Sequence, residues 1–278
     1  MVKLHQKQQC WLKLLKKNNY MISPLANVSS SSIIGKGVVI DSFSTVFEDV
    51  EIGDGTRIHP NVTLYPGTRI GKNCEIFPGA VICVVPQDLK FDGEYTTVEI
   101  GDNTKIRECV TIHRGTKDKL TTKIGSNCLL MTYVHIAHDC QIGNNVILAS
   151  YTGLSGHVVI DDFAILEGKV AVQQFMHIGA HTFIGGASLV RKDIPPYIKA
   201  AREPLTFAGV NSVGLRRRGM TDAQVREIED VYRIIYVQNN NISKGIQSVL
   251  DTLPETEIRN EILSFIQTSD KGVIRGMI

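Results

Sequence analysis

The sequence predicts an all-β, three-sided prism of short parallel strands in about nine coils, followed by a small α-helical C-terminal domain. Three observations predict it. Of the 29 positions taken every sixth residue from Ile22 to Val190, all but Asp88, Glu94 and Asp118 are branched aliphatics. Two residues before them stand small or β-branched residues, as in Ala26, Ser32, Val38, Ser44, Val50 and Thr56. Ile-Gly pairs at 34/35, 52/53, 70/71, 124/125, 142/143 and 178/179 mark a longer period of eighteen.

A period of six fits neither the 3.6 residues of a helical turn nor the two of a strand within one element. Three hexads per coil place each short strand on the one a coil below, with a rise of about 4.8 Å. The span from Ile22 to Val190 then makes a prism roughly 45 Å long. Glycine recurring after the aliphatic suggests one corner that needs a positive φ. Composition agrees with a narrow aliphatic interior, since 43% of the 278 residues are apolar but only 6% are aromatic.

Two polar stretches, residues 83–99 and 115–122, break the frame and are expected to protrude. Loops thrown from a rigid scaffold are common carriers of function. Past Val190 the frame ends at Pro195-Pro196. Thr221 and Gln224 form a capping-box pattern ahead of an apolar helical stripe at Val225, Ile228, Val231, Ile234 and Ile235. Two further helices are expected after Ser243 and Pro254. The predicted organisation is an extension at 1–20 outside the fold, a prism at 21–194 and a helical domain at 195–278.

Charge narrows the partners. The formal net charge is +2, and residues 1–20, with five lysines and no acid, leave the remainder at −3. Such a body lacks the basic face that a nucleic-acid binder needs. No apolar run reaches 18 residues, so no membrane insertion is expected. The N-terminus shows no secretory signal, which predicts a cytoplasmic protein. Cys10, Cys74, Cys83, Cys109, Cys128 and Cys140 form no CxxC pair, and Cys74, Cys128 and Cys140 occupy the small core slot. They read as free thiols.

Coil arithmetic converts spacing into proximity. His138, Gly156 and Gln174 are eighteen apart and form one column. His157 adjoins it, and His135 lies three residues before His138. Asp139 follows His138, where a carboxylate can fix the imidazole tautomer and stabilise the imidazolium, as a general base requires. The same imidazoles could hold a catalytic zinc as in hexad-repeat carbonic anhydrases. Against that, His135-Ile136-Ala137-His138 is tightly spaced and no thiolate or carboxylate joins it convincingly. A second polar cluster, Asn211 to Gly219, carries Arg216, Arg217 and Arg218, suited to phosphates or to an acidic partner.

The ordered motifs Gln87-Asp88-Leu89-Lys90, Val98-Glu99-Ile100-Gly101-Asp102, Ile106-Arg107-Glu108, Val110 to Thr116, Leu129-Leu130-Met131, His135 to Cys140 and Gly209-Val210-Asn211 resemble the acyl-[acyl-carrier-protein]–UDP-N-acetylglucosamine O-acyltransferases. The likeness covers residues 21–278, and Met21-Ile22 resembles the usual start of that family. It implies a left-handed parallel β-helix and a homotrimer with sites between neighbouring prisms. It further implies transfer of an (R)-3-hydroxyacyl chain from acyl carrier protein to the 3-hydroxyl of UDP-N-acetylglucosamine, the first committed step of lipid A synthesis, without a cofactor.

By motif, the resemblance makes His138 the general base, Asp139 its orienting carboxylate and the Gly156 N–H an oxyanion donor. Asp88 and Lys90 would contact the acyl 3-hydroxyl and the nucleotide sugar. His135, His157 and Gln174 would bind the sugar and its diphosphate, and Asn211 and Arg217 the nucleotide end. Arg216 and Arg218 are also candidates for docking the carrier protein. Gly186 falls where a bulky residue would shorten the acyl channel, so a long donor is expected. Gln173 and Val213 depart from the family pattern, where a histidine and a glutamate are usual. A sister N-acyltransferase acting on an amino sugar and a zinc hydrase are the alternatives.

Overall fold

The computed structural model describes residues 21–239 and 241–276, so the predicted extension at 1–20 lies outside the described residues. The chain divides into two compact units that meet in sequence at Asp139 and Cys140.

In the first unit the aliphatic frame becomes three parallel ladders. On one face Ile22, Ile40, Ile58, Ile76, Ile106 and Leu130 stand in register, each directly over the last. Val28, Val46, Leu64, Ile82, Ile112 and Ile136 do the same on the second. Ile34, Ile52, Ile70, Ile100 and Ile124 do so on the third. Most strands are two residues long, with the first residue outward and the aliphatic inward, as in Arg57–Ile58 and Glu51–Ile52. Ile58, Leu64, Ile76, Ile82, Ile106 and Ile112 are fully buried, each worth about 1.5–3 kcal/mol of hydrophobic stabilisation.

The small slot explains itself through hydrogen bonds. Thr56 Oγ1 donates to the Gly71 carbonyl at 2.8 Å and accepts the Cys74 N–H at 3.0 Å. Thr104 repeats this, donating to Gly125 O and accepting from Cys128 N. A hydroxyl buried in this slot therefore satisfies corner groups of the next coil that the ladders leave unpaired. Cys74 and Cys128 fill the same slot as buried thiols, and burial pushes the Cys74 thiol up to about 11.

The corner glycines require a correction. Gly35, Gly53 and Gly71 of the Ile-Gly pairs do not adopt the left-handed conformation. They are glycine because the next coil passes too close: a Cβ on Gly53 would lie 2.6 Å from the Gly71 carbonyl. Positive φ falls two residues later, at Gly37, Gly55, Asn73, Asn103 and Asn127. Asparagine tolerates that region better than most side chains.

The frame also hides two changes of step. Ile70 pairs with Ile100 and Ile100 with Ile124, steps of 30 and 24 where a coil is 18. The insertions thus take twelve and six residues, together one coil length, so the aliphatic frame re-emerges in phase. A bulge between Ile82 and Val84 opens the first insertion.

The second unit repeats the pattern. Ile142, Ile160 and Ile178 align on one face, Leu148, Leu166 and Ile184 on another, and Leu154, Val172 and Val190 on the third. Strand Ile198–Ala201 adds to Phe183–Ile184 in parallel and pairs antiparallel with Thr206–Val210. Helices α1 (Ser212–Arg217), α2 (Asp222–Tyr236), α3 (Ile242–Thr252) and α4 (Glu257–Thr268) follow. The Thr221/Gln224 capping box forms as expected, and the predicted stripe of α2 is buried. Helix α3 begins just before Ser243, capped by Asn241 Oδ1 accepting the Lys244 N–H. Helix α1, inside the predicted polar cluster, was not expected. No helix among the described residues is long and apolar enough to cross a membrane.

Candidate active site

Each coil turns its corner with a left-handed residue three positions after a frame aliphatic, and Asp139 (φ 61°) takes that place after Ile136. The tight turn sets its side chain against the preceding ring. His138 Nδ1 donates to Asp139 Oδ2 at 2.7 Å, with both residues buried. A carboxylate can only accept, so this bond fixes the proton on Nδ1 and leaves the lone pair on Nε2. That is the tautomer a general base needs.

His135 stands on strand His135–Ile136, with Nδ1 2.8 Å from Thr111 Oγ1 one coil below. His113 meets it edge-on, ring centroids 4.9 Å apart. Burial lowers the pKa of both rings. For His113 it falls to about 4, through burial first and then the neighbouring His135 and His138. Burial therefore favours the neutral form of both imidazoles, and among the described residues the buried His113 Nδ1 has no hydrogen-bond partner. His113 was missed in the sequence because a uniform step of eighteen does not bring it to His135. The true step of 24 pairs Thr111 with His135.

Asp88 and Lys90 lie together on the first insertion, where the Lys90 N–H donates to Asp88 Oδ1 at 3.0 Å. Leu89 between them is fully exposed. The loop is moored by Tyr95, whose hydroxyl donates to Asp49 Oδ2 at 2.9 Å and accepts from Arg69 at 3.0 Å. The second insertion reaches the dyad itself: Thr116 donates to the Asp139 carboxylate from its N–H at 2.9 Å and from its hydroxyl at 2.7 Å. Thr116 was likewise missed, since only the fold shows which residue an insertion folds back upon.

In the second unit, the Gly156 carbonyl accepts the Phe175 N–H at 3.2 Å, and the His157 ring stacks on Phe175 at 4.7 Å. Gln174 precedes Phe175 on the exposed corner. Gly186 is exposed on another corner, its N–H donating to Glu167 Oε2 at 3.0 Å.

Asn211 precedes α1, buried, with Nδ2 donating to the His181 carbonyl at 2.9 Å. The His181 ring is stacked between Phe163 and Tyr197, and the Arg218 guanidinium lies 5.5 Å from the Phe163 centroid. Burial first, then the Arg218 charge, lowers His181 to about 4. Arg218 Nη1 and His181 Nδ1 are buried and have no hydrogen-bond partner among the described residues. Together these residues bring a guanidinium, an imidazole and two aromatic rings side by side in the second unit. Arg216 is committed to Asp222 at 2.7 Å, whereas Arg217 is exposed.

Comparison with known proteins identifies the family. The family described as "Udp N-acetylglucosamine O-acyltransferase; Domain 2" matches residues 193–274, and bacterial transferase hexapeptide repeats match 49–83 and 121–156. A curated acyl-[acyl-carrier-protein]–UDP-N-acetylglucosamine O-acyltransferase of Herminiimonas arsenicoxydans is 39% identical over 204 residues, 70% of this chain and 77% of the relative. The crystal structure of the UDP-N-acetylglucosamine acyltransferase of Bacteroides fragilis 9343 is 45% identical, with a TM-score of 0.90 over 92% of this chain and all of that one. That of Francisella novicida is 39% identical, with a TM-score of 0.88 over 92% and 94%. The fold class is thereby a left-handed parallel β-helix followed by a few C-terminal helices. The N-acyl and zinc alternatives are not favoured.

Proposed function

This chain belongs to the acyl-[acyl-carrier-protein]–UDP-N-acetylglucosamine O-acyltransferases, and we propose that His138 is the base of their reaction. The reaction moves an acyl chain from acyl carrier protein to UDP-N-acetylglucosamine, the first step of lipid A biosynthesis. The observation that carries the assignment is the buried 2.7 Å contact between His138 Nδ1 and Asp139 Oδ2.

In this reading the donor is an (R)-3-hydroxyacyl thioester and the acceptor is the sugar 3-hydroxyl. His138 Nε2 takes the hydroxyl proton as the oxygen attacks the thioester carbon, and Asp139 stabilises the imidazolium that forms. The Gly156 N–H receives the developing oxyanion, where preorganised donors contribute most. Collapse of the tetrahedral species expels the carrier-protein thiolate, to which the imidazolium returns the proton. Atoms and charges balance without a cofactor.

Asp88 and Lys90 serve the acyl 3-hydroxyl and the sugar, and His135, His157 and Gln174 the sugar diphosphate. The depressed pKa of His135 suits a ring that offers a neutral hydrogen bond. Asn211, Arg217 and Arg218 hold the nucleotide end, where the Arg218 guanidinium beside the Phe163 ring supports a polar ligand. Arg216 and Arg218 are also candidates for docking the acidic carrier protein, Arg216 already being paired with Asp222. Gly186 leaves room for a long chain. Residues 195–278 act as a domain separate from 21–194, the assembly is a homotrimer, and the enzyme works in the cytoplasm.

The test is mass-spectrometric acyl transfer to UDP-N-acetylglucosamine from hydroxyacyl carrier proteins of graded length, without added metal. His138→Ala is expected to lose about 100-fold or more of the rate. Gly186→Met is expected to shift preference to shorter donors. Wild-type rates in the histidine variant would overturn the base assignment. A solution mass of one 30.7 kDa chain would overturn the trimer.

A further inference from the structure

The second insertion is built around one side chain. Thr116, at its start, gives Asp139 two hydrogen bonds, N–H to Oδ1 at 2.9 Å and hydroxyl to Oδ2 at 2.7 Å. The Lys119 N–H adds a longer one to Oδ1 at 3.3 Å. At the far end of the loop, Thr122 Oγ1 accepts the Asp139 N–H at 2.8 Å. Thr116, Thr122 and Asp139 are all buried, at 6%, 0% and 1% exposure. Asp139 Oδ2 is therefore shared between the Thr116 hydroxyl and His138 Nδ1.

We propose that Thr116 is a positioning residue for acyl transfer, setting through Asp139 both the orientation and the basicity of His138. The proposal rests on the reading of His138 as the base. The carboxylate torsion of an aspartate is broad and roughly two-fold, so the bond to His138 alone leaves it free to rock. Two donors from one residue, one on each oxygen, lock the plane. The hydroxyl also draws charge from Oδ2, the oxygen that faces the imidazole. Without it Oδ2 becomes a stronger partner for the imidazolium, and the base stays protonated to higher pH.

Thr116→Val keeps the shape and the backbone N–H bond and removes only the hydroxyl. The experiment compares pH profiles of kcat and kcat/KM for the full chain with UDP-N-acetylglucosamine and a hydroxyacyl carrier protein. In Thr116→Val, kcat is expected to fall about ten-fold, and the acid limb of kcat/KM to move up by about half a pH unit. KM for UDP-N-acetylglucosamine should stay within about two-fold of wild type. Thr116→Ser restores the hydroxyl and should restore both the rate and the limb. In a His138→Ala background, Thr116→Val should cost nothing further. An acid limb that stays in place or moves down would overturn the proposal. So would an equal loss in the His138→Ala background, or failure of serine to rescue. Full activity of His138→Ala alone would instead overturn the base reading and take this proposal with it.

Discussion

Glu94 and Lys117 belong to different insertions, and the Glu94 carboxylate accepts the Lys117 backbone N–H at 2.8 Å. Its other oxygen accepts the Asp92 N–H at 2.9 Å. Backbone N–H groups, its own and that of Asp92 first and that of Lys117 after, hold the Glu94 carboxyl below its usual range. Thr97 and Thr121 reinforce the tie with a hydroxyl pair at 2.7 Å. The loop that carries Asp88 and Lys90 is thereby fastened to the loop that grips Asp139.

Glu94→Ala should loosen both loops together. We expect KM for the carrier-protein donor to rise and kcat to fall, each about three- to ten-fold. Steady-state kinetics with the donor varied at saturating sugar nucleotide checks this. A change in the melting temperature alone, with both constants intact, would reduce Glu94 to a loop-closing residue.

Asp139→Asn keeps the size of the side chain but offers an N–H or a neutral carbonyl to His138 Nδ1. With the amide nitrogen toward the ring, the imidazole takes the Nε2–H tautomer and loses its basic lone pair there. The expected outcome is a kcat loss of about 100-fold or more, with KM for the sugar nucleotide little changed. Equal loss from ground-state binding would show instead as raised KM.

His113 and His181, each lowered to about 4, make the fold sensitive to acid. Their neutral forms are favoured in the folded chain, so the unfolded chain binds more protons between pH 6.5 and 4. Stability therefore falls as pH drops from about 6.5 toward 4 and levels off below. Melting temperatures across this range should fall less in His113→Gln and His181→Gln variants than in wild type. Parallel slopes would contradict the burial of these rings as the cause.

Two kinds of corner glycine should respond differently to substitution. At Gly37, with φ +69°, a Cβ meets nothing nearer than 3.9 Å. Gly37→Asn should therefore cost less than about 1 kcal/mol. Gly53→Ala drives a Cβ to 2.6 Å from the Gly71 backbone, for an expected cost of about 1–3 kcal/mol or more. Denaturant titration measures both. Equal costs would mean that the coils yield more readily than their spacing implies.

The prism was legible because its core repeats: Ile22 to Val190 declare three faces at once. The corner at Ile34-Gly35 was legible in place but not in cause, since close approach and positive φ both select glycine. The His138–Asp139 pair could be suspected from adjacency, but its bond depends on the left-handed turn at Asp139. Thr116 and His113 were invisible because the insertions change the step between coils by amounts that together restore the frame. The Phe163–His181–Tyr197 stack escaped notice because its last step, like that from Ile184 to Ala200, departs from eighteen.

The left-handed corners have an evolutionary consequence. Asn61, Asn73, Tyr133, Tyr151 and His157 all occupy the same backbone position, three residues after a frame aliphatic, while the residues that build the interior sit elsewhere in the repeat. A single-codon change at such an outward corner exchanges a displayed functional group and leaves the aliphatic ladders in place. Adaptation to a new acceptor or donor can therefore proceed one corner at a time, with little of the destabilisation that usually accompanies new activities.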